Sequence, residues 1–448
     1  MFFLKSLNVA ITKLMRIHFI GIGGAGIGPL AIVAKKARYE VSGSDLQSSE
    51  IIDYLNYHDI KDIFIGDNLI GVKKYHALKK LDWIVYSSAL SVIGKDLEII
   101  QFAKAHGIRI SKRDKFLNEI LAIKKLDLIA IAGTHGKTTT TAMLVWLFKC
   151  FNLPISYLLP AKTNFADLGD YRSDSKYFIY EADEFDNNFL SFNPAISIIP
   201  GVSYDHHEIF KTREDYKDAF RKFISQSSRV ILYHEDANYL TLKQSDNLEI
   251  ISVENSLIDS IKLNGKYNRQ DAYLVSKLFS QLTGYLETNV IKVISQFPGL
   301  YRRMEALQPN LYTDYAHTPE KIKAALNTAS EMVKDSHQKI IVIYEPLTNR
   351  RQKYIKDQYK DTFKDADKLY WIDSYLARED PNDPIIKPSE LIKTISNPKI
   401  AEAKTRNQEL YILIKDHLKK GDFVLAISGG GGNGLDEWLR KIFLSTKA

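Results

Sequence analysis

Three successive α/β domains are predicted for this chain, on three observations. Apolar runs of strand length alternate with helical stretches from one end to the other, as in parallel sheets covered by helices. Glycine-bounded turns follow strands near Gly21 and near Gly133, where ligands meet such sheets. At 448 residues the chain exceeds what one core serves, so two to three domains are the default. The divisions are placed at 1–124, 125–305 and 306–448, the first at a charged break near Lys124.

Composition narrows the function classes. With 45% hydrophobic and 26% charged residues the chain reads as globular, and no apolar run is long enough to span a bilayer. A single cysteine, Cys150, excludes an internal disulfide and suits a reducing compartment, so a cytoplasmic location is expected. The net charge of +7 is spread along the chain, which argues against a nucleic-acid partner and suits phosphorylated small substrates. The opening MFFLKSLNVAITKLM has no sustained apolar core or cleavage site and is not read as a signal peptide.

The central domain opens with LDLIAIAGTHGKTTTTAMLVWLF. Its pattern predicts a buried strand from Leu128 to Ala132, a turn, and a helix opening at Lys137 with its backbone N–H groups unpaired. Gly133 and Gly136 would let a polyanion approach, Lys137 would place a cation among phosphates, and Thr138 would offer a hydroxyl to Mg2+. Only Thr134 and His135 separate the two glycines, fewer than the general P-loop template allows. The strand-turn-helix context still points to a nucleoside triphosphate.

The first domain begins with RIHFIGIGGAGIGPLAIVAKKARYEVSGSD. A strand from Ile17 to Ile20 precedes Gly21, Gly23 and Gly26 in G-x-G-x-x-G spacing, and Asp45 follows roughly twenty residues on, as in a Rossmann dinucleotide fingerprint. A nucleotide is expected here. The pattern does not say which, so a dehydrogenase is the first rival. LDWIVYSSAL supplies a further strand ending in small polar residues.

Beyond the P-loop, YFIYEADEFDNNFL gives a strand ending in Glu181, Asp183, Glu184 and Asp186, carboxylates suited to a nucleotide-bound Mg2+. AISIIPGVSYDHHEIF leads to Asp205, His206 and His207, one histidine being a candidate second-metal ligand or substrate contact. LNGKYNRQDAYLVSKLF turns at Gly265 into a helix displaying Asn268 and Asp271, and FPGLYRRMEAL carries Arg302 and Arg303, suited to bridging phosphates. In the third domain LYTDYAHTPEK places Asp314 and His317 before a helix with Pro319 in its first turn. Residues 345–351 and 373–378 fall at strand ends, where they are expected to line a cleft.

Taken together, AGTHGKTTTTAM, EADE, YDHH, GKYNRQDA, GLYRRME and DYAHTP resemble, in order and spacing, the Mur ligase family, ATP-dependent amide-forming enzymes of peptidoglycan precursor synthesis. The resemblance runs over nearly the whole chain. It implies that Gly133, Thr134, Gly136, Lys137, Thr138 and Thr139 handle ATP, and that Thr138, Glu181 and His206 hold Mg2+. It further implies that Asn268 and Arg303 contact ATP, with Asp314 on its ribose and His317 nearby.

The Rossmann-like first domain would bind the UDP of UDP-N-acetylmuramate through Gly21, Gly23, Gly24, Gly26, Asp45, Ser87 and Ser88. Asp373, Tyr375 and Arg378 would serve the third domain's substrate, Lys137, Glu181, His206 and Arg351 the catalysis. Cell-wall biogenesis, cell shape and division are the implied setting, and a monomer or weak dimer the implied state.

Within the family, GIGGAGIG, SGSD and DSYLARED look most like the branch that joins L-alanine to the lactyl carboxylate through an acyl phosphate. Phe220, where several later-acting ligases carry a carbamylated lysine, fits that branch. Leu347 and Thr348 depart from it, with only Arg351 retained, and Asp271 replaces an asparagine. EPLTN and SGGGGNG look closer to the branch that recycles a tripeptide, so that amine is the alternative. Domain closure is expected, because UDP sugar, ATP and amino acid fall to three domains. A P-loop ATPase doing mechanical or nucleic-acid work and a non-catalytic nucleotide-binding protein are the rivals from other classes.

Overall fold

The computed structural model describes residues 14–87, 96–206, 209–376, 379, 384–431 and 433–444. Ser88, His207 and Arg378 lie outside them. The chain forms two compact units, Met1–Ser252 and Val253–Ala448. Two sheets belong to the first unit and one to the second.

The first sheet is parallel throughout, in the order Ile63–Ile65, Glu40–Asp45, Arg16–Ile20, Trp83–Tyr86, Arg109–Lys112. Its chain runs outward one way from Arg16–Ile20 and then the other, so the glycine turn after Ile20 sits at the topological switch point. The central strand is buried on both faces. Ile17, Phe19, Trp83 and Val85 pack with Phe116 and Leu117 on one side, while Ile20 and Ile84 meet Val72 and Ile99 on the other. Two-sided burial is why these strands read as continuous apolar runs. Each such side chain contributes about 1.5–3 kcal/mol when fully buried.

His18 is the polar exception in that strand. Its ring nitrogens lie 3.0 Å from Ser42 Oγ and 3.1 Å from Ser44 Oγ, so both are satisfied without charge. Burial lowers its pKa to about 3.

The second sheet has seven strands, in the order Leu248–Ile251, Val230–Tyr233, Ile196–Ile199, Asp127–Ile131, Tyr177–Glu181, Ser156–Leu158, Gly169–Asp170. All pairings are parallel except the last. Both sheets of this unit share one apolar core, which joins Phe19 and Phe116 to Ala130, Phe178, Phe189 and Phe220. Gly169 presses on the helix Gly28–Lys36, where a Cβ would come 2.6 Å from the Pro29 carbonyl oxygen. Lys36 then reaches Asp167 and Asp170 at 3.3 and 2.9 Å.

The second unit carries a six-stranded sheet in the order Glu305–Gln308, Leu311–Asp314, Phe423–Ser428, Ile340–Glu345, Lys368–Trp371, Ala401–Ala403. Only the edge strand Glu305–Gln308 is antiparallel. Pro319 opens the helix Pro319–Val333, where its missing N–H costs nothing. Helix Lys266–Thr283 begins after Gly265, whose φ of 89° and close approach to Thr328 exclude a side chain. Arg269 ties that helix to Glu331 of the helix Pro319–Val333.

Candidate active site

Strand register assembles the phosphate turn of the first unit. Ile131 is the Cα partner of Ile198 on one side and of Glu181 on the other, so residues 200–203 and 181–184 flank the turn that follows it. Gly136, with φ 74°, turns the chain into the helix Lys137–Cys150. At Gly133 a Cβ would stand 2.8 Å from the Gly201 carbonyl oxygen, so the close packing of two loops demands glycine. Thr134 is committed to that packing. Its N–H donates to Gly201 O at 2.8 Å, and its hydroxyl donates to Ser203 O at 2.7 Å and lies 2.6 Å from the Tyr216 hydroxyl.

Lys137 Nζ donates to Gly133 O and to Glu184 Oε2, both at 2.6 Å. Its side chain is 14% exposed and that of Glu184 only 1%. The other Glu184 oxygen accepts from the Tyr216 hydroxyl at 3.4 Å and lies 3.5 Å from His206 Nε2. Burial alone would raise the Glu184 pKa, but Lys137 and His206 outweigh it and hold the carboxyl at about 2. Burial likewise opposes the Lys137 charge, and Glu184, Asp183 and Glu181 more than compensate, raising its pKa.

Sequence reasoning offered Glu184 only as one of four carboxylates for Mg2+; the structure makes it the partner of Lys137. The signal was its place three residues after Glu181 in the EADE run. Phe220, by contrast, is fully buried with its ring 5.2 Å from Phe189 and 5.1 Å from Tyr216, an apolar site with no place for a charged group.

Among the described residues no three His, Cys, Asp or Glu side chains form a metal cage by themselves. A nucleotide-bound Mg2+ needs no such cage, since it keeps waters and takes one or two protein oxygens besides phosphate. Thr138 in the first helical turn and Glu181 in register with Ile131 carry oxygens of the kind such an ion takes. His206 Nε2 faces Glu184. Thr139 follows Thr138 in the same partly exposed turn.

In the first sheet Gly21, with φ 72°, donates its N–H to Ser44 O at 2.8 Å. Gly23 donates to Asp45 Oδ2 at 2.8 Å, and a Cβ there would lie 2.7 Å from Ser49 Oγ. Asp45 thereby braces the turn from the neighbouring strand. Gly24 is exposed, and Ser87 follows directly on the strand Trp83–Tyr86.

The second unit gathers a separate cationic group. Arg302 and Met304 both have positive φ, 57° and 45°, and this turn splits the two arginines. Arg302 donates to Ser428 O at 2.6 Å and approaches Asp436 at 3.6 Å. The Arg303 side chain makes no hydrogen bond or ion pair among the described residues and lies over the Tyr315 ring at 5.1 Å. Asp314 accepts from Met304 N and Ala316 N, each at 2.8 Å, and so clamps this turn to the strand end. Burial raises the Asp314 pKa against the pull of Arg303 and those two N–H groups.

His317 Nδ1 lies 2.9 Å from Tyr315 O. Burial first, then the charges of Lys321, Arg351 and Arg303, hold its pKa well below the ordinary histidine value. Thr348 is a β-branched residue at φ 51°, strained backbone held by Thr348 N to Tyr375 O at 2.9 Å and Tyr375 N to Pro346 O at 2.8 Å. It caps the short helix carrying Arg351, whose Nη1 is buried and without a hydrogen-bond partner among the described residues. The Tyr375 ring covers Gly430, where a Cβ would lie 2.6 Å from the ring, and Asp373 is exposed nearby in sequence. Asn268 stands on another helix of this unit, its amide donating to Asn264 O at 2.8 Å.

The chain is similar to known proteins. The Mur ligase family catalytic domain matches residues 16–125, the Mur ligase middle domain 131–301, and the Mur ligase glutamate ligase domain 302–430. The UDP-N-acetylmuramate–L-alanine ligase of Clostridium beijerinckii is 30% identical over 463 aligned positions, covering 95% of this chain and 97% of that protein. Its counterpart in a Clostridium botulinum strain is 31% identical, covering 93% and 96%. In fold, the chain is similar to the UDP-N-acetylmuramate-alanine ligase of Thermotoga maritima, with a TM-score of 0.72, 24% identity and coverage of 97% and 99%. A murein peptide ligase of Psychrobacter arcticus follows at TM-score 0.63, 21% identity and coverage of 96% and 98%. With the family's domains matched in order and such relatives along nearly the full chain, this protein belongs to the Mur ligase family and is an amide-forming ligase.

Proposed function

We propose that the protein joins L-alanine to the lactyl carboxylate of UDP-N-acetylmuramate with ATP, in the cytoplasm, as a step of peptidoglycan precursor synthesis. The observation that carries this reading is the 30–31% identity to L-alanine ligases over more than nine-tenths of the chain. Among the described residues no helix is long and apolar enough to cross a membrane.

A free carboxylate is a poor acyl donor, so ATP would first convert it into an acyl phosphate. Lys137, drawn from Glu184 toward the nucleotide, would follow the charge on the transferring phosphoryl oxygens. Mg2+ held by Thr138 and Glu181, with His206 beside them, would neutralise part of that charge. Arg303, free of other partners, would contact ATP together with Asn268, Asp314 and His317. Arg351 would pair with the carboxylate of the amino acid. The amine nitrogen would then bond to the acyl carbon as the carbon–oxygen bond to phosphate breaks, releasing phosphate and ADP.

A second reading, transfer of an L-Ala-D-Glu-diamino-acid tripeptide to the same sugar nucleotide, draws support from EPLTN, whose Leu347 and Thr348 form the strained segment before Arg351. Phosphate release from ATP with UDP-N-acetylmuramate and a panel of L-alanine, glycine, L-serine and the tripeptide separates the two. Release that requires L-alanine supports the first reading, and release only with the tripeptide replaces it by the second. No release with any amine overturns both.

A further inference from the structure

A chain of buried hydrogen bonds ends on the strained turn that precedes Arg351. Gln352, the next residue in the helix Asn349–Ile355, is fully buried, as are Tyr344 and Tyr359. Its Nε2 donates to Leu347 O at 3.1 Å, and its Oε1 accepts from the Tyr359 hydroxyl at 2.7 Å. A carbonyl oxygen only accepts, so the amide nitrogen of Gln352 must face Leu347. Tyr359 gives its one proton to Gln352, and Tyr344 is therefore the donor across the 2.8 Å between the two hydroxyls. Every proton from Tyr344 to Leu347 O thus has a fixed direction.

The chain holds one peptide plane at both ends. Leu347 O and Thr348 N belong to the same peptide unit, whose rotation would change the Thr348 φ of 51°. Its N–H donates to Tyr375 O at 2.9 Å, and its carbonyl accepts from Gln352. A β-branched residue keeps a left-handed backbone only where its surroundings fix it, and here they do so on both sides. Thr348 Oγ1 then accepts from Arg351 N at 3.3 Å, so the turn passes its position to the arginine. Burial pushes the Tyr344 and Tyr359 hydroxyls well above the ordinary tyrosine value, and the Arg351 charge pulls against it on both. The guanidinium therefore stands beside the chain, with Nη1 buried and without a hydrogen-bond partner among the described residues.

We propose that Gln352 is a positioning residue that locks the Leu347–Thr348 peptide and thereby aims Arg351 at the carboxylate of the incoming amine. This rests on the ligation reading above, in which Arg351 pairs with that carboxylate, and it applies to either amine. It adds the buried group that sets the place of the arginine.

Steady-state phosphate release by the full chain, with UDP-N-acetylmuramate and the amine that the unaltered protein accepts, tests the assignment. Gln352→Met keeps the volume and removes both the donor and the acceptor. It is expected to raise KM for the amine about 10-fold, the worth of one buried hydrogen bond, while KM for ATP stays within about 2-fold and reports that the fold is kept. Tyr359→Phe leaves the Gln352 donor in place and should raise the amine KM only about 3-fold. Thr348→Gly lets the turn adopt its left-handed backbone without strain, so adding Gln352→Met to it should raise the amine KM by less than about 3-fold more. An unchanged amine KM in Gln352→Met overturns the proposal while the ligation reading stands, and so does an equal rise in the KM values for amine and ATP. A further rise of about 10-fold on the Thr348→Gly background overturns it as well. No release by the unaltered protein with any amine overturns the ligation reading and this inference with it.

Discussion

Lys137 Nζ sits 2.6 Å from Glu184 Oε2, a pair formed across 47 positions of the chain and closed on its other side by His206 and Tyr216. The pair keeps a nearly buried ammonium charged and aimed at the turn before any nucleotide arrives. Glu184→Gln replaces the first counter-charge of Lys137 by a neutral amide and leaves it the Gly133 carbonyl and the charges of Asp183 and Glu181. Because breaking a buried pair from one side is costly, unfolding free energy should fall by about 3 kcal/mol at pH 7. Urea unfolding measures it, and unaltered stability would remove the pair from the account.

Lys137→Ala acts on the chemistry. It should lower ATP-dependent phosphate release, with UDP-N-acetylmuramate and the accepted amine, by at least about 100-fold, the scale of losing one preorganised charge at a transition state. A variant with full ligation would exclude the phosphate role.

Acid should weaken the fold in two stages. His18 has a folded pKa of about 3, below the 6.5 of an exposed histidine. Its contribution is complete above pH 6.5 and is lost as pH falls toward 3, since the unfolded chain takes up a proton that the folded one refuses, for a total of about 5 kcal/mol. Glu184, depressed from 4.5 to about 2, keeps its contribution above pH 4.5 and loses it only below. Denaturant midpoints should therefore already decline between pH 6.5 and 4.5. In His18→Phe, less stable because Ser42 and Ser44 lose their partner, that upper decline should flatten; an unchanged slope would assign it to other groups.

Adjacent arginines should behave differently. Arg302 is bonded to Ser428 O and near Asp436, so Arg302→Ala should cost about 1–3 kcal/mol of stability. Arg303 has no such partner, and Arg303→Ala should stay within about 0.5 kcal/mol while raising the KM for ATP. Equal destabilisation by the two variants would contradict the split.

The α/β class, the glycine turns and the lysine of the phosphate turn were legible in the sequence because their causes are local. Apolar runs bury on both faces of parallel strands, Gly136 enters a left-handed conformation, and Pro319 opens a helix wherever its neighbours lie. Tertiary structure alone decided which polar side chains are committed and which stand free. Glu184 reaches Lys137 because Ile131 and Glu181 are in register, which sets the ends of the two strands side by side. Arg303 is free and Arg302 is not because a turn with two positive φ values sends them apart. Arg113 meets Gly26 only once strands far apart in sequence lie in one sheet. Such pairings depend on distances across the fold, which residue spacing along the chain does not encode.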